Sequence, residues 1–225
     1  MTIENAASPI LQVKDLTMHY QTRQGTVKAV DGISFELARG EVLGLVGESG
    51  CGKTSIAVTL MKLLPDNALI VKGQVLLDGQ DLMTMDDTTL RKYRWRRISM
   101  IFQAAMNSLD PVHRVGDQII EAIEAHDMIT TMTEARATVD RLFRLVGLDP
   151  GLTDRYPHEF SGGMRQRAVI AMALACQPDV IVADEPTTAL DVIVQDRILR
   201  QIKEIQTDLN MSMIYITHDI AVVAE

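Results

Sequence analysis

Gly47-Glu48-Ser49-Gly50-Cys51-Gly52-Lys53-Thr54 fits the pattern G-x-x-x-x-G-K-[ST], and each of its residue types has a chemical use. A polyphosphate needs many donors in a small space, and backbone N–H groups are the smallest available. Gly47, Gly50 and Gly52 let the backbone turn inward with no Cβ in the way. Lys53 can reach β- and γ-phosphates, and the Thr54 hydroxyl is placed to ligate Mg²⁺. The competing reading is a glycine-rich turn that binds nothing.

A second group of polar residues stands at the ends of apolar runs. Val180-Ile181-Val182-Ala183 leads into Asp184-Glu185, two carboxylates at the end of a buried strand. Burying them without a metal would cost several kcal/mol. Asp184 is the type that holds Mg²⁺ through its water shell, and Glu185 is placed to polarise a water in line with a γ-phosphate. Gln103 follows the run Ile98-Ser99-Met100-Ile101-Phe102, where a polar side chain can reach the metal or the water. His218 follows Met213-Ile214-Tyr215-Ile216-Thr217 and alone among five histidines ends a strand; His19, His113, His126 and His158 read as surface or packing residues. Ser161-Gly162-Gly163 opens a helix, as a plain serine cap or as a second anion site.

The elements that must position these residues alternate strand and helix. Glu41 to Val46 reads as a buried parallel strand before the glycine loop, and Thr54 to Leu64 as a helix stopped by Pro65. Ile10 to Tyr20 and Val27 to Leu37 read as strands, with a polar turn over 21–25. Tyr20 is either an ordinary strand tyrosine or an aromatic face beside a nucleotide base. Gln74 to Leu77 meets Asp78-Gly79, a hairpin dipeptide, which suggests a small antiparallel sheet beside the main one. Asp86 to Arg96 reads as a surface helix, and the basic run of Arg91, Lys92, Arg94, Arg96 and Arg97 as a solvated or partner-facing patch. Val115 to Ala125 and Met132 to Val146, the latter with Thr131-x-x-Glu134 as a capping box, interrupt the alternation as an inserted helical block, about 104–177. Val192 to Leu209 is a further helix.

At 225 residues with 47% hydrophobic residues, the chain has ample material for a core. A net charge of −8 argues against a nucleic-acid surface. Cys51 and Cys176 make no disulfide framework, which points to a reducing compartment. No stretch approaches the roughly 18 apolar residues of a membrane span, and 1–8 lacks the pattern of a secretory signal.

Taken in order, the glycine loop, Gln103, Ser161-Gly162-Gly163, Asp184-Glu185, Thr188 to Asp191 and His218 resemble the ATP-binding subunits of ABC transporters over nearly the whole chain. The resemblance implies an α/β fold: a P-loop NTPase core with a mostly parallel sheet, an N-terminal antiparallel β subdomain and an inserted helical subdomain, forming a single ABC ATPase domain over 1–225. It implies two such domains sandwiching two ATP molecules with Mg²⁺, Gly47 to Ser55 of one chain facing Ser161-Gly162-Gly163 of the other. Tyr20 would then stack on adenine, Gln103 couple the site to a membrane subunit, Glu185 act as general base, His218 contact the γ-phosphate and Asp191 work across the dimer contact. Thr54, Gln103 and Asp184 would attend the metal.

Met164 after the two glycines, Phe102 to Pro111 and Glu185 to Val192 resemble the subgroup that serves di- and oligopeptide and nickel importers. The implied partners are integral-membrane permease subunits, a second ATP-binding subunit and, indirectly, an extracytoplasmic substrate-binding protein. The implied place is the cytoplasmic face of the inner membrane, held peripherally. Relatives continue past the point matching Glu225, so the sequence is expected to be a fragment. Two other readings stay open: an ABC-type ATPase acting on nucleic acid, which would carry a basic face or zinc-type cysteine pairs, and a small-molecule kinase, which leaves Ser161-Gly162-Gly163 without a use.

Overall fold

The computed structural model describes residues 8–103, 108–128, 131–187 and 190–219. Strands β1 (Leu11–Thr22), β2 (Gly25–Leu37), β4 (Ala68–Leu77) and β5 (Gln80–Asp81) form an antiparallel sheet in the order β2-β1-β4-β5. The expected turn over 21–25 tightens to Arg23 and Gln24, held by the Thr22 hydroxyl donating to the Gly25 carbonyl at 2.7 Å. Asp78 and Gly79 have φ of 50° and 79°, the left-handed pair that lets β4 fold straight back into β5.

The second sheet is parallel, in the order β3-β8-β7-β6, built from β3 (Val42–Val46), β6 (Ile98–Ile101), β7 (Val180–Asp184) and β8 (Ser212–Thr217). Side chains alternate across a strand, and both alternants of β7 and β8 are apolar, so both faces of the sheet are covered. Val180, Val182, Ile214 and Ile216 pack with the antiparallel sheet and with Ala57 and Leu60 of helix α1 (Lys53–Leu60). Ile181, Ala183, Met213 and Tyr215 pack with α3 (Val115–Glu124), α4 (Met132–Leu145), α5 (Gly162–Ala173) and α6 (Val192–Leu209).

Three expectations need correction. β3 is not a buried strand: among the described residues it is the edge of the sheet, with Val42 49% and Val46 40% exposed, since β8 alone pairs with it. Helix α1 stops at Leu60 rather than Leu64, because Lys62 takes a φ of 52° and Leu63 N–H turns back to the Val58 carbonyl at 2.8 Å. The basic run is not one solvated patch. After α2 (Asp87–Tyr93), Arg94 turns inward to the carbonyls of Met61 and Lys62, and Arg97 pairs with Asp78 and Asp179. Arg39 also reaches Asp78, at 2.5 Å, so one exposed ion-pair network ties the β4–β5 turn to the chain entering β6 and β7.

Candidate functional site

Two glycines of the loop between β3 and α1 sit against close neighbours. A Cβ on Gly47 would meet Cys51 Sγ at 2.8 Å, and one on Gly52 would overlap the Ala29 carbonyl oxygen of β2. Gly52 also takes a φ of 102° as it caps α1, a conformation L side chains rarely adopt. The nearly buried Lys53 folds back over this loop, its Nζ donating to the Gly47 and Glu48 carbonyls at 2.7 and 2.8 Å. Lys53, Thr54 and Ser55, the first turn of α1, line the cleft over this loop, and a helix N-terminus is where N–H groups lack intrahelical partners.

A cleft of about 410 Å³ lies over the loop, lined by Ser49 to Ser55 together with Tyr20, Gln103 and Glu185. Tyr20 is oriented by its hydroxyl, 3.3 Å from Ser55 Oγ. Val27, Lys28 and Ala29 of β2 line the cleft as well, and sequence reasoning missed them. The signal was available in the hairpin register, which sets Val27 opposite Tyr20 and Lys28 opposite His19. A larger cavity of about 580 Å³, between β3, β8 and α6, holds none of the candidate residues.

Strand alternation puts Asp184 on the face of Val180 and Val182, towards α1 with its Lys53 and Thr54. Asp184 is 1% exposed, and neither carboxylate oxygen has a hydrogen-bond partner. Burial raises its pKa above the ordinary carboxylate value, and the Glu185 charge adds to the rise against the opposing pull of Thr54 and Lys53. An orphaned buried carboxylate facing a hydroxyl, with an amide oxygen near the same cleft, is the hard-oxygen donor set that suits Mg²⁺.

Glu185 ends the strand in a left-handed turn, φ 47°, its N–H bonded to the Ile216 carbonyl at 3.0 Å. Both carboxylate oxygens are engaged: Gln103 Nε2 donates to Oε2 at 3.0 Å, and His218 Nδ1 lies 3.1 Å from Oε1. Tyr215 of β8 is buried on the helix-covered face of the sheet and does not line the cleft. Burial and the Glu185 charge push its phenol up to about 12, against the opposing pull of Thr187.

Ser161 and Asp191 do not line the cleft. They cap the N-termini of α5 and α6, accepting from Met164 N–H at 3.3 Å and from Val194 N–H at 3.0 Å. The two helix starts pack side by side, since a Cβ on Gly163 would meet Val194 Cγ1 at 2.9 Å. Thr188 and Ala189, named with Asp191 in the sequence reading, lie outside the described residues, as do 104–107 within the run from Phe102 to Pro111.

Comparison with known proteins decides the family: the ABC transporter family matches residues 30–188. The chain belongs to it. A dipeptide transport ATP-binding protein of Bacillus subtilis is 48% identical over 219 residues, covering 96% of this chain and 65% of the relative. A probable peptide ABC transporter ATP-binding protein of Sinorhizobium fredii is 46% identical over 222 residues, covering 97% of this chain and 66% of the relative. The chain thus spans just under two thirds of the length of these ABC relatives. Among solved structures, a dimeric ATP-binding cassette in a post-hydrolysis state, bound to ADP and Pi, superposes with a TM-score of 0.82 at 26% identity, covering 94% of this chain and 89% of that one. The α/β fold with its parallel and antiparallel sheets is that of ABC cassettes.

Proposed function

We propose that this chain is the ATP-binding and ATP-hydrolysing part of an ABC importer for di- or oligopeptides, with nickel the remaining substrate class. The observation that carries the reading is the orphaned Asp184 carboxylate facing the loop that bears Lys53 and Thr54, with Glu185 next to it. The similarity to dipeptide and peptide transport proteins supports the substrate class.

In this reading Gly47 to Ser55 cradle the phosphates through backbone N–H groups, while Lys53 leaves the Gly47 and Glu48 carbonyls for the β- and γ-phosphates. Tyr20 and Val27 flank the base. Thr54, Asp184 and Gln103 would hold Mg²⁺, which would supply neutralisation of charge on the phosphate oxygens. Glu185 accepts the proton of the attacking water, and His218 fixes the direction of the Glu185 carboxylate and reaches the γ-phosphate. The exposed helix starts at Ser161-Gly162-Gly163 and Asp191 serve the site of a second ATP-binding subunit, which matches the dimeric assembly of the solved cassette. The helices of about 104–177 act as a subdomain that meets the permease.

No helix among the described residues is long and apolar enough to cross a membrane. The similarity to peptide transport ATP-binding proteins supports assigning the membrane passage to permease subunits, served in turn by an extracytoplasmic substrate-binding protein. The chain sits on their cytoplasmic face, and with a net charge of −8 it has no nucleic-acid partner. The test is magnesium-dependent phosphate release from ATP by the purified chain, alone and with its permease. Release stimulated by permease and a peptide-loaded binding protein supports the reading; salt-sensitive binding to DNA or RNA in its place would overturn it.

A further inference from the structure

Glu185 has a backbone φ of 47°, a region that L side chains enter only where their surroundings hold them. Two neighbouring residues of β8 supply that hold. The Ile216 carbonyl accepts from the Glu185 N–H at 3.0 Å, and the Tyr215 hydroxyl shares a hydrogen bond with the side chain of Thr187, just past the turn. Tyr215 and Thr187 are 7% and 4% exposed, and Pro186 beside Thr187 is buried as well. Neither Tyr215 nor Thr187 lines the cleft, whereas Glu185 does, in contact with Gln103 and His218.

We propose that Tyr215 is a positioning residue for Glu185 that acts through Thr187: its hydroxyl fixes the chain just past the left-handed turn, and the turn aims the carboxylate at the cleft. A misplacement of about 1 Å can cost a catalytic group about 10²-fold in rate, so the backbone behind the carboxylate bears on turnover. The two alternants of β8 divide the work. Ile216 packs towards α1 and holds the turn through its carbonyl, while Tyr215 packs under the helices and holds it through Thr187. Without the Tyr215 hydroxyl, Thr187 would keep a buried hydroxyl short of a partner and the turn would be anchored on one side only. Burial keeps the phenol protonated far above neutral pH, so the bond persists through the neutral range. This inference rests on the function proposed above and adds a positioning residue to the same site.

The test uses the full 225-residue chain labelled with ¹⁵N-histidine, with the ring signal of His218 assigned by its loss in His218→Ala. Glu185→Ala marks the signal of a His218 ring that has lost this carboxylate. Tyr215→Phe and Thr187→Val each remove one hydroxyl and should move the His218 signal towards that mark, with the other histidine signals unmoved. One well-folded variant of the two suffices for this reading. Magnesium-dependent ATP turnover should fall about fivefold in each, the worth of one net hydrogen bond, with KM unchanged. The double variant separates positioning from packing. It removes both hydroxyls and orphans neither, so Tm should return towards the native value while turnover stays as low as in either single variant. Thr187→Ser keeps a hydroxyl and should keep native turnover. An unchanged His218 signal in the single variants overturns the positioning, and so does turnover that recovers together with Tm in the double variant. Absence of ATP hydrolysis by the native chain, alone and with its permease, overturns the proposed function, while the His218 signal still reads the positioning on its own.

Discussion

His218 Nδ1 lies 3.1 Å from Glu185 Oε1, joining residues 33 positions apart through the ends of two adjacent strands. If this contact aims the carboxylate, His218→Ala should lower ATP turnover roughly 10- to 100-fold, the range of a hydrogen bond to a charged group. Steady-state phosphate release measures it. A loss smaller than threefold would mean that the ring does not hold the base.

Gly52→Ala should destabilise the protein, because the added methyl overlaps the Ala29 carbonyl and the backbone stays at φ 102°. Strain of this kind costs about 1–3 kcal/mol, a drop of several degrees in Tm for a chain of this size. Gly25→Ala is the control: its φ is 124°, yet nothing lies within 4 Å of the new methyl, so thermal unfolding should show the smaller loss.

Asp184→Asn should raise Tm in the absence of nucleotide and metal, since it removes a buried charge without a hydrogen-bond partner. Burial raises the pKa of Asp184, so its ionisation costs stability; the cost is absent below the ordinary carboxylate range and develops as pH rises through the raised value. The advantage of the variant should therefore grow with pH. Differential scanning calorimetry with magnesium and ATP should show the order reversed, the native residue gaining more from the ligand.

These cases show what could be read from the chain and what could not. The glycine loop, the Asp78-Gly79 turn, the Thr131 and Ser161 caps and helix α6 are local signals, set by residues a few positions apart, and each appears where the sequence puts it. The exposed edge at β3 depends on which strands flank it, and the early end of α1 on the backbone choice at Lys62; neither is written in an apolar run. Gly52 against Ala29, Val27 beside Tyr20 and the Arg39–Asp78–Arg97–Asp179 network are contacts between distant segments, invisible to spacing. In the candidate site, residue types and strand ends were legible, but the joint hold of Gln103 and His218 on one carboxylate was not.

Asp78 offers a pH test outside the site. The hydrogen bond from Arg97, then the Arg39 charge, hold its carboxyl below the ordinary value of 3.8. A depressed folded pKa contributes stability above the unfolded value, and that contribution is lost as pH falls through the folded one. Asp78→Asn should accordingly run parallel to the native chain in denaturant midpoint at neutral pH and converge with it only in acid below about pH 4. Curves that stay parallel into acid would remove the ion pairs from the account.

The central claim is that Glu185 is the base of an ATPase, and Glu185→Gln tests it most directly. The variant keeps the side chain's size and loses its basicity, so magnesium and ATP should bind as before while turnover falls roughly 10²–10⁴-fold. Sedimentation velocity should then find an ATP-trapped dimer that the native chain does not accumulate. Turnover equal to that of the native chain, with no dimer, would contradict the account.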